Sequence, residues 1–182
     1  EVERDGRLGM DMKRSSGTTR RGSSAEIKVR NLETADRRRW EDLWADYNAF
    51  YGRKGETSLE PAIVDATWTR LLDDTEPVHG LLALKDNIPV GLAHVVLHPN
   101  LIQRELTCYM QDLYTCTEAR GTGVARRLIE AVCDHCLAEG VADVYWHTHE
   151  SNEVARRLYD RVARNTGFLV YRIKPLSSED GA

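Results

Sequence analysis

The chain lacks any apolar run near the roughly 18 residues that a membrane-spanning helix needs, which excludes such a helix. Its first residues also lack the apolar core of a signal peptide, so no export is expected. Charge of one sign is not in excess. The sequence carries 25 Lys+Arg against 29 Asp+Glu, a formal charge of −4, which argues against bulk binding to nucleic acid or to anionic membrane. Cysteine is scarce, with four residues at Cys108, Cys116, Cys133 and Cys136. Cys133-Asp-His135-Cys136 invites a zinc or redox reading, but a second ligand pair at zinc spacing is missing. Cys133, Cys136 and Leu137 instead continue the apolar stripe of a helix, so reduced, buried thiols, no metal and a cytoplasmic protein are expected. Apolar residues are also few across residues 1–24, a flexible polar tail with a basophilic RRGS at 20–23. Residues 25–182 are long enough for one folded domain.

What is present alternates between strand and helix patterns. AEIKVRNL reads as a first strand, and Trp40, Leu43, Trp44 and Tyr47 recur at helical spacing from Thr34 to Phe50. Tyr47, Phe50 and Tyr51 cluster at the end of that helix. A second helix is predicted from Leu59 to Leu72, with Pro61 in its first turn. HGLLALK and IPVGLAHVVLH flank Asp86-Asn87, a hairpin signal. CYMQDLYTC is a further strand, and a glycine-rich turn then opens a helix that Gly140 closes. VADVYWHTH is read as a strand, SNEVARRLYDRVA as a helix and TGFLVYRI as a last strand. That order predicts one mixed α/β domain.

The turn Arg120-Gly121-Thr122-Gly123-Val124-Ala125 is followed by Arg126, where a dinucleotide fingerprint needs a small residue. It also lacks the Gly-Lys-Ser/Thr end of a nucleoside-triphosphate loop. A generic anion site at a helix N-terminus remains, beside the plainer reading of a structural turn. Asn152 and Tyr159 lie two turns apart on one face of the later helix, next to a stripe of Val154, Leu158 and Val162 expected in the core. Asn152 as a cap and Tyr159 as an amphipathic core residue are the plain alternatives.

The R-G-x-G-x-A turn between strand and helix, followed by a strand and N-x-x-A-x-x-L-Y, resembles the GNAT superfamily of N-acetyltransferases. The runs TCYMQDLYTCTEARGTG, VYWHTHESN and ARRLYDRVARNTGFLVYR resemble its histone/polyamine branch, which includes spermidine/spermine and thialysine acetyltransferases. The resemblance implies an α/β fold with a mixed, mostly antiparallel sheet splayed in the middle and about four flanking helices. It implies acetyl-CoA as cofactor, held by backbone of Leu113, Tyr114 and Thr115, by the turn from Gly121 through Thr122, Gly123, Val124 and Ala125 to Arg126, and by Asn152. Arg120 would brace the turn, and Tyr159 would protonate the departing thiolate.

Chemistry fits that assignment. An alkyl amine with a pKa near about 10.4 is almost wholly protonated at neutral pH, so a base must help free its lone pair. A tyrosine hydroxyl can donate a proton while itself neutral. A backbone N–H on a splayed strand can polarise the acyl carbonyl. Polyamine-acetylating relatives usually have Glu-Asp where this chain has Gln111-Asp112, so Asp112 and Glu150 become the base candidates. His147 and His149 share one strand face and are read as structural, and His79, His94 and His98 as ordinary packing or surface residues. The acceptor, a small amine, polyamine, amino acid or lysine side chain, would lie among Tyr47, Tyr51, Gln111 and Asp112. A non-enzymatic acyl-CoA regulator is the alternative, and a pure interaction domain a third reading. The terminal strand Phe168–Ile173 would leave an edge that pairs with a second copy, so a homodimer is expected.

Overall fold

Alternation in IKVRN sets β1 (Ile27–Asn31), the first element of a computed structural model that describes residues 26–173. The polar tail with its RRGS run, and Lys174 onward, lie outside those residues. The segment predicted as helical from Thr34 opens as a single 3₁₀ turn. There Asp36 is occupied elsewhere: it accepts from Arg30 at 2.6 and 2.9 Å and from the Glu33 amide at 2.8 Å. α1 (Arg37–Phe50) and α2 (Pro61–Leu71) follow, then β2 (Val78–Lys85), β3 (Ile88–Pro99) and β4 (Leu106–Thr115). α3 (Val124–Ala138), β5 (Asp143–Tyr145) and α4 (Glu153–Val162) complete the regular elements. Asp86 and Asn87, at φ 52° and 63°, make the tight hairpin expected of that pair.

One sheet runs in the order β1-β2-β3-β4-β5, antiparallel except for the parallel β4–β5 pair. Side chains alternate across it. A Cβ on Gly91 would strike Val124 and Leu128 of α3, whereas His94 turns to the opposite face and meets α1. The core therefore fills both faces, with Trp40, Leu43 and Trp44 on one side and Val124, Leu128 and Val132 on the other.

Two features of β4 matter for function. It pairs with β5 only over Thr107–Tyr109, so beyond Tyr109 that edge of its backbone has no neighbouring strand. This is the expected splay. Its register with β3 also shifts, because His94 faces Asp112 and Val95 faces Met110, leaving Gln111 as an extra residue in a bulge.

Three expectations fail. TGFLVYRI is no strand: residues 164–173 have no regular structure, and Phe168 is 91% exposed. An extended pattern needs a partner edge, and among the described residues this segment pairs with none. VADVYWHTH contributes only Asp143–Tyr145 to the sheet, because its pairing with β4 ends at Tyr109. The apolar stripes were drawn too wide. Val154 and Leu137 are 73% and 80% exposed and Cys133 is exposed, while Cys136, Leu158 and Val162 face inward on the same helices.

Candidate active site

The splay opens a cleft between the end of α1 and the second half of α4. Tyr47 and Tyr51 line one wall, Met110, Gln111 and Leu113 of β4 the floor, and Trp146, His147 and Tyr159 the other wall. Helical spacing brings Tyr51 onto Tyr47, edge to face at 5.1 Å, and Tyr47 also meets the ring of Tyr114 at 6.3 Å. Tyr159 stands against Trp146, edge to face with centroids 5.2 Å apart. Burial, with a smaller contribution from nearby Tyr51, pushes its pKa up to about 12. It is therefore a neutral hydroxyl throughout the physiological range, able to donate a proton. The Tyr47 hydroxyl donates to the Gln111 carbonyl at 3.4 Å, and burial and then Asp112 raise its pKa well above the usual tyrosine value.

Behind this wall lies a buried polar chain. Trp40 Nε1 donates to His94 Nε2 at 2.8 Å, so that nitrogen holds the lone pair and Nδ1 holds the hydrogen. His94 Nδ1 then donates to Asp112 Oδ2 at 2.9 Å, and Trp44 Nε1 donates to the same oxygen at 3.1 Å. Burial alone would raise the Asp112 pKa, but the bonds from His94 and Trp44 bring it below the usual aspartate value. His94, read from sequence as ordinary packing, is the centre of this chain. A histidine on an otherwise apolar strand, opposite a helix carrying two tryptophans, was the signal that could have revealed it.

The glycine turn has the conformation that excludes other residues. Gly121 and Gly123 sit at φ 75° and 95°, and Gly123 is the N-cap of α3. A Cβ on Gly121 would meet nothing within 4 Å, and one on Gly123 only Ile27 at 4.0 Å. The space before the turn is open. Arg120 Nε donates to the Thr115 carbonyl at 3.2 Å and its guanidinium lies 6.0 Å from the Tyr114 ring, which braces the turn against β4. Thr122 Oγ1 donates to the Ala119 carbonyl at 2.8 Å. Val124 is buried under the turn, Ala125 is half-buried and Arg126 is exposed. Leu113, Tyr114 and Thr115 pair with β3 on one edge only, and the Thr115 hydroxyl is buried without a partner.

Asn152 caps α4, its side chain accepting from the Ala155 amide at 3.5 Å and donating to Thr148 at 3.4 Å. Glu150 is exposed and outside the cleft lining, and its carbonyl accepts from Arg156 at 3.0 Å. His149 pairs with Ser151 at 2.7 Å, while His147 packs among Tyr109 and Tyr145 and borders the cleft. The sequence reading missed the cleft positions of Trp146 and His147, since their placement follows from where β5 stops.

An unpaired strand edge leading to a glycine-rich helix N-terminus offers backbone donors along an extended chain and then at an anion. The unpartnered Thr115 hydroxyl and the open space before Gly121 fit a coenzyme A thioester lying there.

The model of the acetyltransferase (GNAT) family matches residues 38–163. A D-amino-acid N-acetyltransferase of Saccharomyces cerevisiae is 34% identical over 148 residues, covering 80% of this chain and 89% of the yeast protein. Among solved structures, an aminoglycoside acetyltransferase from an uncultured soil metagenomic sample superposes with a TM-score of 0.70 at 23% identity, over 84% of this chain and 99% of that one. The structure of AAC(6')-Iy in complex with a bisubstrate analog of coenzyme A gives a TM-score of 0.69 at 15% identity, over 84% and 100%. By these matches the chain belongs to the acetyltransferase (GNAT) family and is an acetyl-CoA-dependent N-acetyltransferase.

Proposed function

We propose that this enzyme acetylates the amino group of a free α-amino acid bound in the cleft between Tyr47, Tyr51 and Gln111. The observation that carries this reading is the cleft lining, which contains no carboxylate. A polycation needs one, and Gln111 stands where polyamine-acetylating members of the resembled branch carry glutamate. The similarity to a yeast D-amino-acid N-acetyltransferase supports the same choice. Turnover of acetyl-CoA, followed as free thiol, with panels of D- and L-amino acids, polyamines and a lysine peptide tests it. Amino acids should lead by kcat/KM, and a lead by polyamines would overturn it.

In this reading acetyl-CoA supplies the activated acyl group, and the chain orients it. Backbone of Leu113, Tyr114 and Thr115 runs beside the pantetheine. The turn from Gly121 through Thr122, Gly123, Val124 and Ala125 to Arg126 donates N–H groups to the phosphates, and Asn152 closes the other side. Tyr159 is the general acid, because its raised pKa keeps the proton on it until the thiolate needs it. Asp112 is a positioning residue. Donors from His94 and Trp44 occupy it, so it ties the bulge at Gln111 to α1 and β3 instead of taking a proton from the amine. That proton leaves through water towards His147 and Glu150, the exposed groups between β5 and α4.

The enzyme works as a homodimer in the cytoplasm. Phe168, Leu169, Val170, Tyr171 and Ile173 are all exposed in the segment after α4, and a second copy offers the partner edge that this segment lacks among the described residues. Four free thiols, with Cys108, Cys116 and Cys136 buried, suit a reducing compartment.

A further inference from the structure

We propose that Arg53 is the group that recognises the acceptor's carboxylate, and so selects amino acids over simple amines. This rests on the amino-acid reading above and deepens it to a named residue. Arg53 follows α1 at the turn containing Gly52, beside the tyrosine wall. Its guanidinium lies 5.8 Å from the ring of Tyr51, which lines the cleft, and its charge is felt at Tyr47.

The guanidinium is aimed by a buried residue. Asn48 is 4% exposed, and its Oδ1 accepts from Arg53 Nε at 2.6 Å while its Nδ2 donates to the Trp44 carbonyl at 2.8 Å. The Asn48 carbonyl also accepts from the Arg53 amide at 2.9 Å. Burying an asparagine has a cost unless its polar atoms are used, and here they hold one exposed side chain in one orientation.

With Nε committed to Asn48, both terminal nitrogens of the fork remain available. Among the described residues no carboxylate lies within salt-bridge distance of Arg53. Arginine's planar fork matches a carboxylate with two parallel hydrogen bonds. Arg120, the other guanidinium set over a tyrosine of this region, lies over Tyr114, which is outside the cleft lining, and its Nε braces the Thr115 carbonyl. Arg53 thus sets a cation beside Tyr51 of the α1 wall, Tyr159 stands at the opposite wall, and the described lining holds no competing carboxylate. An α-amino acid fits that polarity, with its carboxylate at Arg53 and its amine towards Tyr159.

The test compares phenylalanine with its primary amide, each enantiomer of both, in wild type, Arg53→Gln and Arg53→Lys. The ratio of kcat/KM, amino acid over amide, should fall at least about tenfold in Arg53→Gln, mainly through KM of the amino acid, as losing a charge-assisted pair requires. Arg53→Lys should recover part of the ratio. Calorimetry with the product N-acetylphenylalanine should show a similar loss of affinity in Arg53→Gln, independent of turnover. An unchanged ratio, or equal losses on acid and amide, overturns the assignment to Arg53 while leaving amino-acid acetylation intact. Acetylation of polyamines but of neither phenylalanine form overturns both.

Discussion

The two walls of the cleft are built differently. On the α1 side, Trp40 stacks on Trp44 at 5.1 Å and lies 4.8 Å from Trp68, and Trp40, His94, Asp112 and Trp44 form an unbroken hydrogen-bonded chain. On the α4 side, a three-residue strand and one edge-to-face contact with Trp146 carry Tyr159, and residues 164–173 are exposed. The wall proposed to orient the acceptor is therefore fixed by the core. The wall proposed to supply the acid is held by fewer contacts. Buried polar chains with every donor used are rigid, and thinly packed elements open locally at low cost.

The sharpest way to break this comparison is to disable the thin wall's chemistry without moving it. Tyr159→Phe keeps the ring against Trp146 and removes only the hydroxyl. Turnover should fall by roughly 10²- to 10⁴-fold, the usual contribution of a general acid, with coenzyme A affinity within a few-fold of wild type. Near wild-type kcat, with chemistry rate-limiting, would remove Tyr159 from the mechanism. In wild type the falling limb of the pH profile should follow the raised tyrosine, with activity lost only as pH approaches about 12. In the phenylalanine variant that limb should disappear.

Next in size is the turn that joins the two halves. Gly123→Val places a β-branched residue at φ 95°, where it is strained by about 1–2 kcal/mol, although the space around it is open. The variant should fold, relax out of the left-handed region and no longer aim its N–H groups. Losing one charge-assisted contact adds about 1.5–3 kcal/mol, so coenzyme A should bind roughly 10²-fold more weakly. Unaltered affinity by calorimetry on the folded variant would make the turn structural only.

The same contrast explains what the sequence disclosed. Elements with their own period or punctuation were legible: Trp40, Leu43 and Trp44 on α1, Pro61 at the start of α2, Asp86-Asn87 in the hairpin and Gly140, at φ 68°, after α3. The glycine turn was legible because its residue types are conformationally required. The Gln111 bulge, the inward role of His94 and the end of β5 were not, because each depends on which strand lies opposite. The TGFLVYRI segment has a good strand pattern and still forms no strand, since pattern specifies a preference and pairing needs an edge. Val154 and Leu137 failed for a simpler reason, lying just beyond the arc of their helices that the sheet covers.

A partner edge would also complete the thin wall. Phe168→Asp should weaken association roughly 10- to 100-fold, the loss of about 1.5–3 kcal/mol expected when a buried aromatic is removed from an interface. Sedimentation equilibrium at micromolar concentration should show a dimer for wild type and a lighter species for the variant. A wild-type mass that stays near 20.7 kDa would refute the dimer.

The smallest effect belongs to the packed wall, and its pH dependence is specific. Asp112→Asn preserves shape but presents one neutral oxygen where a carboxylate accepted from His94 and Trp44, so folding stability should fall by about 1–2 kcal/mol at neutral pH. The folded-state pKa of Asp112 lies below the usual aspartate value, near about 3.9 unfolded, so its contribution is present above that value. It is lost as pH falls through the lower folded value. Urea melts of the two proteins should therefore stay a constant distance apart from about pH 7 to pH 5 and converge below about pH 4. If the acceptor KM rises in the variant while the coenzyme A affinity holds, Asp112 acts by fixing the bulge at Gln111. A loss of kcat alone, with KM and stability untouched, would instead return Asp112 to the role of base.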